Sequence, residues 1–231
     1  MKQVAEADAD PTTLRLSMDA KATVAVGPFS RRGKSRVETH ASDHDFKPEV
    51  TITPVGILIP TTAELFVYAV ASKVTSDCLV DCLSQCWATI RDRFPTVTTL
   101  TLNLDNGPEN HSRRTQFMAR IVDFVRESGV TVQLAYYPPY HSKYNPIERC
   151  WGALEQHWNG SLLDSVDAVL NFIKTMTWKG VQPLVELVTE TYHTGVKLSK
   201  DDMEDIEMQI VRLPDLGKWF VTISPTTVWA T

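Results

Sequence analysis

The sequence predicts a mixed α/β protein, with a five-stranded sheet flanked by helices and a mostly helical C-terminal extension. Three observations support this prediction. Up to about residue 70, apolar residues recur at spacings typical of β-strands. From about Ser76 to Arg93 the spacing is that of an amphipathic helix. Strand and helix patterns then alternate, which favours a βαβ unit.

The strand segments come first along the chain. Residues 14–26 have the pattern of a strand, and Gly27 and Pro28 break it before a second strand that would complete a hairpin. Two apolar runs follow at residues 55–60 and 64–70. We therefore expect a small antiparallel sheet in the first third of the chain.

The helical segment that follows is expected to stop before Pro95, because proline cannot continue a helix. Next come a strand, a helix that ends at Gly129, and a second strand, at residues 99–105, 113–127 and 130–135. A proline-rich loop at residues 136–146 leads into another amphipathic helix, whose apolar face is Ile147, Trp151, Leu154 and Trp158.

Antiparallel strands followed by strands alternating with helices are the plan of the ribonuclease H fold. The domain organisation expected from this plan is an N-terminal tail (1–13), a catalytic core (14–160) and a helical extension (161–231). Since many α/β proteins share the outline, the function has to be argued from individual residues.

Composition narrows the class of protein. The 231 residues are 43% hydrophobic, which is enough for a substantial core, and no apolar run is long enough to span a membrane. The N-terminus is acidic and polar, unlike a signal peptide, so we expect a cytoplasmic protein. Cys78, Cys82 and Cys86 recur at helical spacing without a CxxC pair, and are interpreted as core residues rather than metal ligands.

The formal net charge of -5 argues against a domain that grips nucleic acid over its whole surface. Any contact with DNA must be local. The one dense basic cluster is either a solvated turn or a phosphate contact, and consists of Arg31, Arg32, Lys34 and Arg36.

Two strand segments share one internal pattern. In residues 14–19 and 100–105 the even positions are apolar and the odd positions are polar, and each segment ends with an aspartate on its polar side. If these strands are neighbours, Asp19 and Asp105 converge at the strand ends. The alternative is that each aspartate only begins a turn.

A third carboxylate, Glu148, lies at the start of the last core helix. Asn145 has the position of an N-cap and Pro146 that of the first helical residue, so Glu148 could simply complete a capping box. The small Gly152 would instead allow this helix to approach a sheet that carries two aspartates. Glu155 is the reserve candidate for the third carboxylate.

Three clustered carboxylates would repel each other without cations, and hard divalent cations such as Mg²⁺ prefer oxygen ligands. Two ions held in this way can activate the attacking oxygen and stabilise the leaving oxygen at phosphorus. The residues therefore indicate phosphoryl transfer.

The spacing of Asp19, Asp105 and Glu148, the string LDNGPEN after the second aspartate, and YYPPYHSKYNPIERCWGALE around the glutamate resemble DDE transposases of bacterial insertion sequences. The resemblance is to the mariner-like group and to the Rhodopirellula-type DDE domain, and covers about residues 14–160. The strings ASDHDF and LPDLGKWFVTI are similar to the latter as well.

The resemblance implies cleavage of transposon ends and strand transfer into target DNA, with Asp19, Asp105 and Glu148 holding two Mg²⁺ ions, for which Mn²⁺ can substitute. It also implies a homodimer or higher oligomer when active. The gap between Asp105 and Glu148 is longer than usual in mariner-like enzymes. Because such enzymes carry an N-terminal helix-turn-helix module, we expect this chain to be a fragment without it.

Other polar residues flank these carboxylates in the sequence. Asn106 and Glu109 are candidate supports of the ligands. Histidines in the two loops could contact a phosphate, although most loop histidines have no such role; they are His111 and His141. Tyr140, Lys143 and Arg149 are candidate contacts to the DNA backbone.

Two other functions stay open at this point. One is a ribonuclease H-like nuclease or resolvase that hydrolyses nucleic acid without strand transfer. The other is a catalytically silent transposase remnant that only binds DNA. The three carboxylates favour an active enzyme, whereas the net charge of -5 favours a remnant.

Overall fold

The computed structural model describes residues 2–29, 48–137, 145–196 and 198–225. The described residues form nine strands: β1 (Thr13–Ala20), β2 (Val24–Val26), β3 (Val50–Ile59), β4 (Glu64–Val70), β5 (Thr99–Leu104), β6 (Thr131–Tyr136), β7 (Leu184–Val188), β8 (Ile210–Arg212) and β9 (Phe220–Ile223). They also form six α-helices: α1 (Lys2–Ala9), α2 (Ser76–Ile90), α3 (Thr115–Ser128), α4 (Ile147–His157), α5 (Val166–Thr175) and α6 (Lys200–Glu207).

All nine strands belong to one mixed sheet, in the order β7-β4-β3-β1-β5-β6-β9-β8, with β2 paired to β3 beside this path. The hairpins of the first third give antiparallel pairing of β1 with β3 and of β3 with β4. The βαβ unit gives parallel pairing of β1 with β5 and of β5 with β6. The five central strands are therefore among those that the sequence pattern predicts. The strand predicted over residues 14–26 is divided into β1 and β2, and residues 30–47, which follow the predicted break at Gly27 and Pro28, lie outside the described residues.

The predicted strand count and the helical character of the C-terminal extension need correction. The extension contributes α5 and α6, but also β7, which pairs with β4 at one edge of the sheet, and the β8–β9 hairpin, which pairs with β6 at the other. Strand β8 has only three residues, and β7 exposes most of its side chains at the sheet edge. Neither gives the alternating apolar pattern of a half-buried strand.

Helices cover both faces of the sheet. Strands β1, β3, β4, β5 and β6 send apolar side chains into a first core with α2 and α3, and the cysteines of α2 lie buried there. The second core lies on the opposite face, where α4 and α5 pack against β3 and β4. The face of α4 predicted to be apolar is in this second core. Every helix in the described ranges is too short or too polar to cross a bilayer.

The strands at the centre of the sheet have one apolar and one polar side. Leu14, Leu16 and Met18 enter the first core, whereas Arg15 and Ser17 alternate with them and point to the face of α4. These polar side chains are buried, so each needs a partner. Ser17 and Asn103 are paired across β1 and β5, and Arg15 donates to the Asn103 side chain at 3.2 Å.

Residues expected to be an N-terminal tail form helix α1 instead. Its Asp8 carboxylate accepts two hydrogen bonds from the Arg15 guanidinium, at 2.7 and 2.8 Å. Because the Arg15 side chain is only 8% exposed, this ion pair satisfies a charge that would otherwise be buried without a partner. Helix α1 is thereby attached to the central strand of the sheet.

Candidate active site

Asp19 and Asp105 lie side by side at the ends of the two central strands. Parallel pairing of β1 and β5 runs from Thr13 opposite Thr99 to Ser17 opposite Asn103. The same register, continued by two residues, sets Asp19 beside Asp105. Neighbouring strands are about 4.8 Å apart, and side chains two residues along a strand return to the same face. Both carboxylates therefore continue the polar side of the sheet that begins with Ser17 and Asn103.

Helix α4 brings Glu148 to the same end of the sheet. The Ser17 hydroxyl accepts a hydrogen bond from the Ile147 backbone N–H at 3.1 Å and donates to the Asn145 side-chain oxygen. The Asn145 side-chain nitrogen donates to the Met18 carbonyl at 3.3 Å. Three hydrogen bonds thus tie the residues that precede Asp19 to those that flank Glu148.

Asn145 does not act as the predicted side-chain N-cap of α4. Its side chain is fully buried and is engaged by β1, so Ser17 takes over the capping role from another element. The small residue that lets α4 approach the sheet is Gly56 rather than Gly152. A Cβ added to Gly152 would meet nothing within 4 Å, whereas one added to Gly56 would lie 2.5 Å from the Trp151 ring.

Asp19 also has a direct contact with α4. The indole N–H of Trp151 donates to Asp19 Oδ2 at 2.8 Å. Gly56, on β3, is the pairing partner of Asp19, and its lack of a side chain leaves the space that the Trp151 ring occupies. Three strands and a helix therefore meet around one carboxylate.

The electrostatics of Asp19 reflect this crowding. Burial raises the pKa of Asp19 from 3.8 to about 7, with further increases from the charges of Asp105 and Glu148, while the Trp151 hydrogen bond opposes the shift. Burial and the charge of Asp105 also raise the pKa of Glu148, and Lys21 lowers it. Asp105 is thus close enough to Asp19 and to Glu148 to disfavour the charged form of each.

Asp105 is held by a residue that the sequence interpretation did not select. Asn110 donates from its side chain to Asp105 Oδ1 at 2.8 Å, and its own carbonyl accepts from the Tyr136 hydroxyl at 2.7 Å. Of the two predicted supports, Asn106 is exposed, and the Glu109 carboxylate accepts from Arg114 at 3.1 Å.

The reserve carboxylate, Glu155, is engaged away from the two aspartates. Its side chain accepts from Lys21, which is 8% exposed, and from the Trp158 indole at 2.9 Å. The Lys21 ammonium also lies over the Trp158 ring, 5.6 Å from its centroid. Glu155 therefore neutralises a buried lysine.

Two further predicted site residues, His111 and Arg149, lie within the described residues. His111 lies in the turn after β5, where its Nδ1 accepts from the Arg113 N–H at 3.2 Å, and burial lowers its pKa. Arg149 is exposed, one residue after Glu148. The other candidates lie outside the described residues: His141, Tyr140, Lys143 and the basic cluster Arg31, Arg32, Lys34 and Arg36.

A cavity of about 200 Å³ opens beside the two aspartates. Its polar lining comes from the site and from the turn after β5, and its apolar lining from β1 and α2. The lining residues are Met18, Asp19, Ala20, Val74, Leu79, Asp105, Gly107, Pro108, Glu109 and Asn110. A substituent at phosphorus or a hydrated ion could enter this space and reach both aspartates.

The donor set fits hard divalent cations. Carboxylate oxygens are the ligands that Mg²⁺ prefers, and the raised pKa of Asp19 indicates negative charge that lacks full compensation within the protein. Within the described ranges, however, no three His, Cys, Asp or Glu side chains are already gathered closely enough to hold a metal ion. Metal binding would therefore have to draw these carboxylates closer.

The comparison with protein families decides the identity of the domain. The sequence matches the family described as the Rhodopirellula transposase DDE domain over residues 1–225, which is nearly its whole length. The chain belongs to this DDE transposase domain family. No protein of curated function matches the sequence.

One solved structure supports the fold of this DDE domain. The Mos1 transposase paired-end complex with left transposon end is similar with a TM-score of 0.51 and 11% identity, over 74% of this chain and 49% of that one. The Mos1 mariner paired-end complex with Mn has a TM-score of 0.48 and 12% identity, over 68% and 46%. The ribonuclease H-like fold predicted from the sequence is thus confirmed. The chain spans about half the length of the Mos1 protein in the first of these structures.

The sequence alone did not predict the hydrogen bonds that surround the carboxylates. Trp151 belongs to the NPIER-CW string that carries the family resemblance, but its pattern indicated only a buried helix face. Ser17 is a polar residue inside a strand, and Asn145 has the position of an ordinary helix cap. Their hydrogen bonds join segments about 130 residues apart, as for Ser17 and Ile147, and no local pattern predicts such pairs.

Proposed function

We propose that this domain is the catalytic core of a DNA transposase, which cleaves transposon ends and joins them to target DNA. Asp19, Asp105 and Glu148 would be its metal ligands. The observation that carries the proposal is the register that sets Asp19 beside Asp105, together with the effect of both Asp105 and Glu148 on the pKa of Asp19. In a chain of the DDE transposase family, this cluster is the expected reaction centre.

Two Mg²⁺ ions, or Mn²⁺ in their place, would supply activation of the attacking oxygen and stabilisation of the leaving oxygen at phosphorus. The protein's own residues would position the phosphate and the carboxylates. Asn110 fixes one oxygen of Asp105, and Trp151 fixes one oxygen of Asp19. Ser17 and Asn145 hold the start of α4, which carries Glu148, against β1.

DNA is the proposed partner. The Mos1 structure of similar fold is a paired-end complex with a transposon end, and we extend DNA binding and a dimeric or larger active assembly to this family member by analogy. The net charge of -5 means that contacts to the phosphate backbone must be concentrated locally. Arg149, which is exposed next to Glu148, is one such candidate; Lys143 and the basic cluster at 31–36 are others.

The test is a DNA cleavage and joining assay with the full chain and Mg²⁺ or Mn²⁺. The substrate is a labelled end of the element that encodes the chain, with a supercoiled plasmid as target. Asp19→Asn, Asp105→Asn and Glu148→Gln should each reduce cleavage to background, because each removes a charged ligand with little change in volume. Glu155→Gln is the matched control and should keep cleavage.

The products separate the three functions. Joining of the labelled 3′ end to the plasmid supports a transposase. Cleavage without joining would instead indicate a ribonuclease H-like nuclease or resolvase. DNA binding without cleavage in either metal would indicate a silent remnant, and loss of activity in Glu155→Gln but not in Glu148→Gln would show that the third ligand is wrong.

A further inference from the structure

The contact between Trp151 and Asp19 is a buried hydrogen bond between two secondary-structure elements. Trp151 is 5% exposed and Asp19 is 8% exposed, and the indole nitrogen lies 2.8 Å from Oδ2. Water has little access to compete with such a bond. An indole N–H can only donate a hydrogen bond. The bond from Trp151 therefore favours the ionised form of the Asp19 carboxylate.

The position of the indole is set by the sheet below it. A Cβ on Gly56 would lie 2.5 Å from Trp151 Cη2 and 2.7 Å from Ile147 Cδ1. Real Cβ contacts are not this short, so any side chain at position 56 would force the start of α4 away from β3. Since Gly56 pairs with Asp19, the ring that fills this space is beside the carboxylate to which it donates.

The bond constrains how Asp19 can bind a cation. A carboxylate rotates about its terminal torsion unless its oxygens are held, and here Oδ2 is fixed by the indole. One direction of approach to Oδ2 is therefore occupied by the indole N–H. Because Trp151 is one turn after Glu148 on α4, the same contact also ties the part of the helix that carries Glu148 to the strand that carries Asp19.

We infer that Trp151 is a positioning residue, which orients the Asp19 carboxylate for metal binding through its indole N–H and holds the start of α4, with Glu148, against the sheet by packing over Gly56. This inference rests on the proposed function, since it assumes that Asp19 is a metal ligand. It assigns to the tryptophan a role in metal affinity, in addition to its role in the core.

The chain contains a matched control at the C-terminal end of the same helix. Trp158 is fully buried in the second core as well, and its indole N–H donates to a carboxylate at 2.9 Å. That carboxylate is Glu155, which is paired with Lys21 rather than placed beside Asp105. Trp158→Phe and Trp151→Phe therefore remove the same atoms, one at the C-cap of α4 and one within the helix, but only Trp151→Phe removes a bond to Asp19.

The experiment measures Mn²⁺ affinity of the full chain without DNA, from the loss of the electron paramagnetic resonance signal of hydrated Mn²⁺. Circular dichroism and thermal melting check that each variant is folded. Loss of a residue that orients a metal ligand typically weakens affinity by about 10- to 100-fold, and we expect this for Trp151→Phe. Trp158→Phe should bind Mn²⁺ as the parent does, and Asp19→Asn should lose the site.

The outcomes separate the inference from the proposed function. If the parent binds Mn²⁺ through Asp19 but Trp151→Phe binds as tightly, the positioning role is wrong and the proposed metal site stands. If Trp158→Phe is weakened equally, the effect is general loosening of α4, and the inference is also overturned. If Asp19→Asn binds as the parent does, Asp19 is not a ligand, and both proposals fall together.

A second measurement applies if Trp151→Phe does not fold. In ¹⁵N-labelled protein, one indole N–H signal should shift on addition of Mg²⁺ to the parent, and the same signal should shift in Asp19→Asn. The signals of the other tryptophans should stay in place in both comparisons. An unchanged set of indole signals on Mg²⁺ binding would overturn the inference.

Discussion

The hydroxyl of Ser17, in the central strand β1, caps helix α4 by accepting the backbone N–H of Ile147. The same hydroxyl donates to Asn145, so a single atom joins the strand that carries Asp19 to the start of the helix that carries Glu148. Both bonds are buried, and Ser17 has no exposed surface.

Ser17→Ala should therefore destabilise the domain by more than an ordinary cap deletion. It leaves the Ile147 N–H and the Asn145 oxygen buried without their partner, at a cost of about 1–3 kcal/mol for each such group. Chemical denaturation at equilibrium measures the loss. Ser165→Ala, which removes the exposed cap of α5, is the control and should cost about 1 kcal/mol. Equal losses in the two variants would contradict the bridging role of Ser17.

A second prediction concerns the two glycines near Trp151. Gly56→Ala should destabilise the protein by about 1–3 kcal/mol, because its methyl group would overlap the Trp151 ring and overpack the second core. Gly152→Ala is the matched control: the position is exposed in α4 and open to a methyl group, so the change should stabilise by up to about 1 kcal/mol. Thermal melts measure both, and stabilisation by Gly56→Ala would contradict the close approach of α4.

The contrast between these glycines shows what the sequence could and could not predict. Alternation of apolar and polar residues in β1 and β5 predicted the strands and the side from which Asp19 and Asp105 project, because side-chain direction follows a local period. The sequence also suggested that a small residue lets α4 approach the sheet. It indicated Gly152, on the helix itself, whereas the contact is made by Gly56, about 100 residues earlier in the chain.

The edge strands were missed for a different physical reason. Strand β7 is half exposed and lies beside β4, and β8 is only three residues long. These segments form strands because they pair with an edge of the sheet, and their own sequence pattern does not predict them. The residue that hydrogen-bonds to Asp105 was missed for a similar reason, because no local sequence pattern distinguishes it. Asn110 lies in an irregular turn, and only the tertiary fold distinguishes it from Asn106.

A third prediction tests that distinction. Asn110→Ala should weaken Mg²⁺ binding by about 10-fold or more, because Asp105 loses the donor that orients it. Asn106→Ala, four residues earlier on an exposed turn, should leave Mg²⁺ binding as in the parent. Isothermal titration calorimetry compares the two variants. A larger effect of Asn106→Ala would restore the sequence-based interpretation of that residue as the support.

A fourth prediction follows from the pKa of Asp19, raised to about 7 by burial and by Asp105 and Glu148. A cation binds the ionised carboxylate, so at pH 6 its binding must displace a proton, and we expect close to one proton released. At pH 8 the release should fall towards zero. Calorimetric titration of Mg²⁺ in two buffers of different ionisation enthalpy measures the number. Release that does not change between these pH values would contradict the raised pKa.

The raised pKa of Asp19 also determines how the free energy of unfolding depends on pH in the absence of metal. Between pH about 4 and about 7 the folded protein keeps a proton on Asp19 that the unfolded chain has released, given the ordinary value of 3.8. The folded state binds more protons in this window, so the contribution of Asp19 to stability is largest near pH 4 and decreases as the pH rises to 7. Asp19→Asn should flatten this dependence in EDTA.

The final prediction compares the melting temperature of Asp19→Asn with that of the parent, in EDTA and in Mg²⁺. At pH 8 in EDTA, Asp19→Asn should raise the melting temperature by several degrees, because it removes a buried charge that faces two others. The amide oxygen can still accept from Trp151, so the packing of α4 is kept. In Mg²⁺ at about ten times Kd the parent gains about 1.4 kcal/mol from binding, and the variant does not. The stabilising effect of the substitution should therefore shrink or reverse in Mg²⁺. Equal shifts of the melting temperature in both buffers would show that Asp19 belongs to the scaffold and not to a metal site.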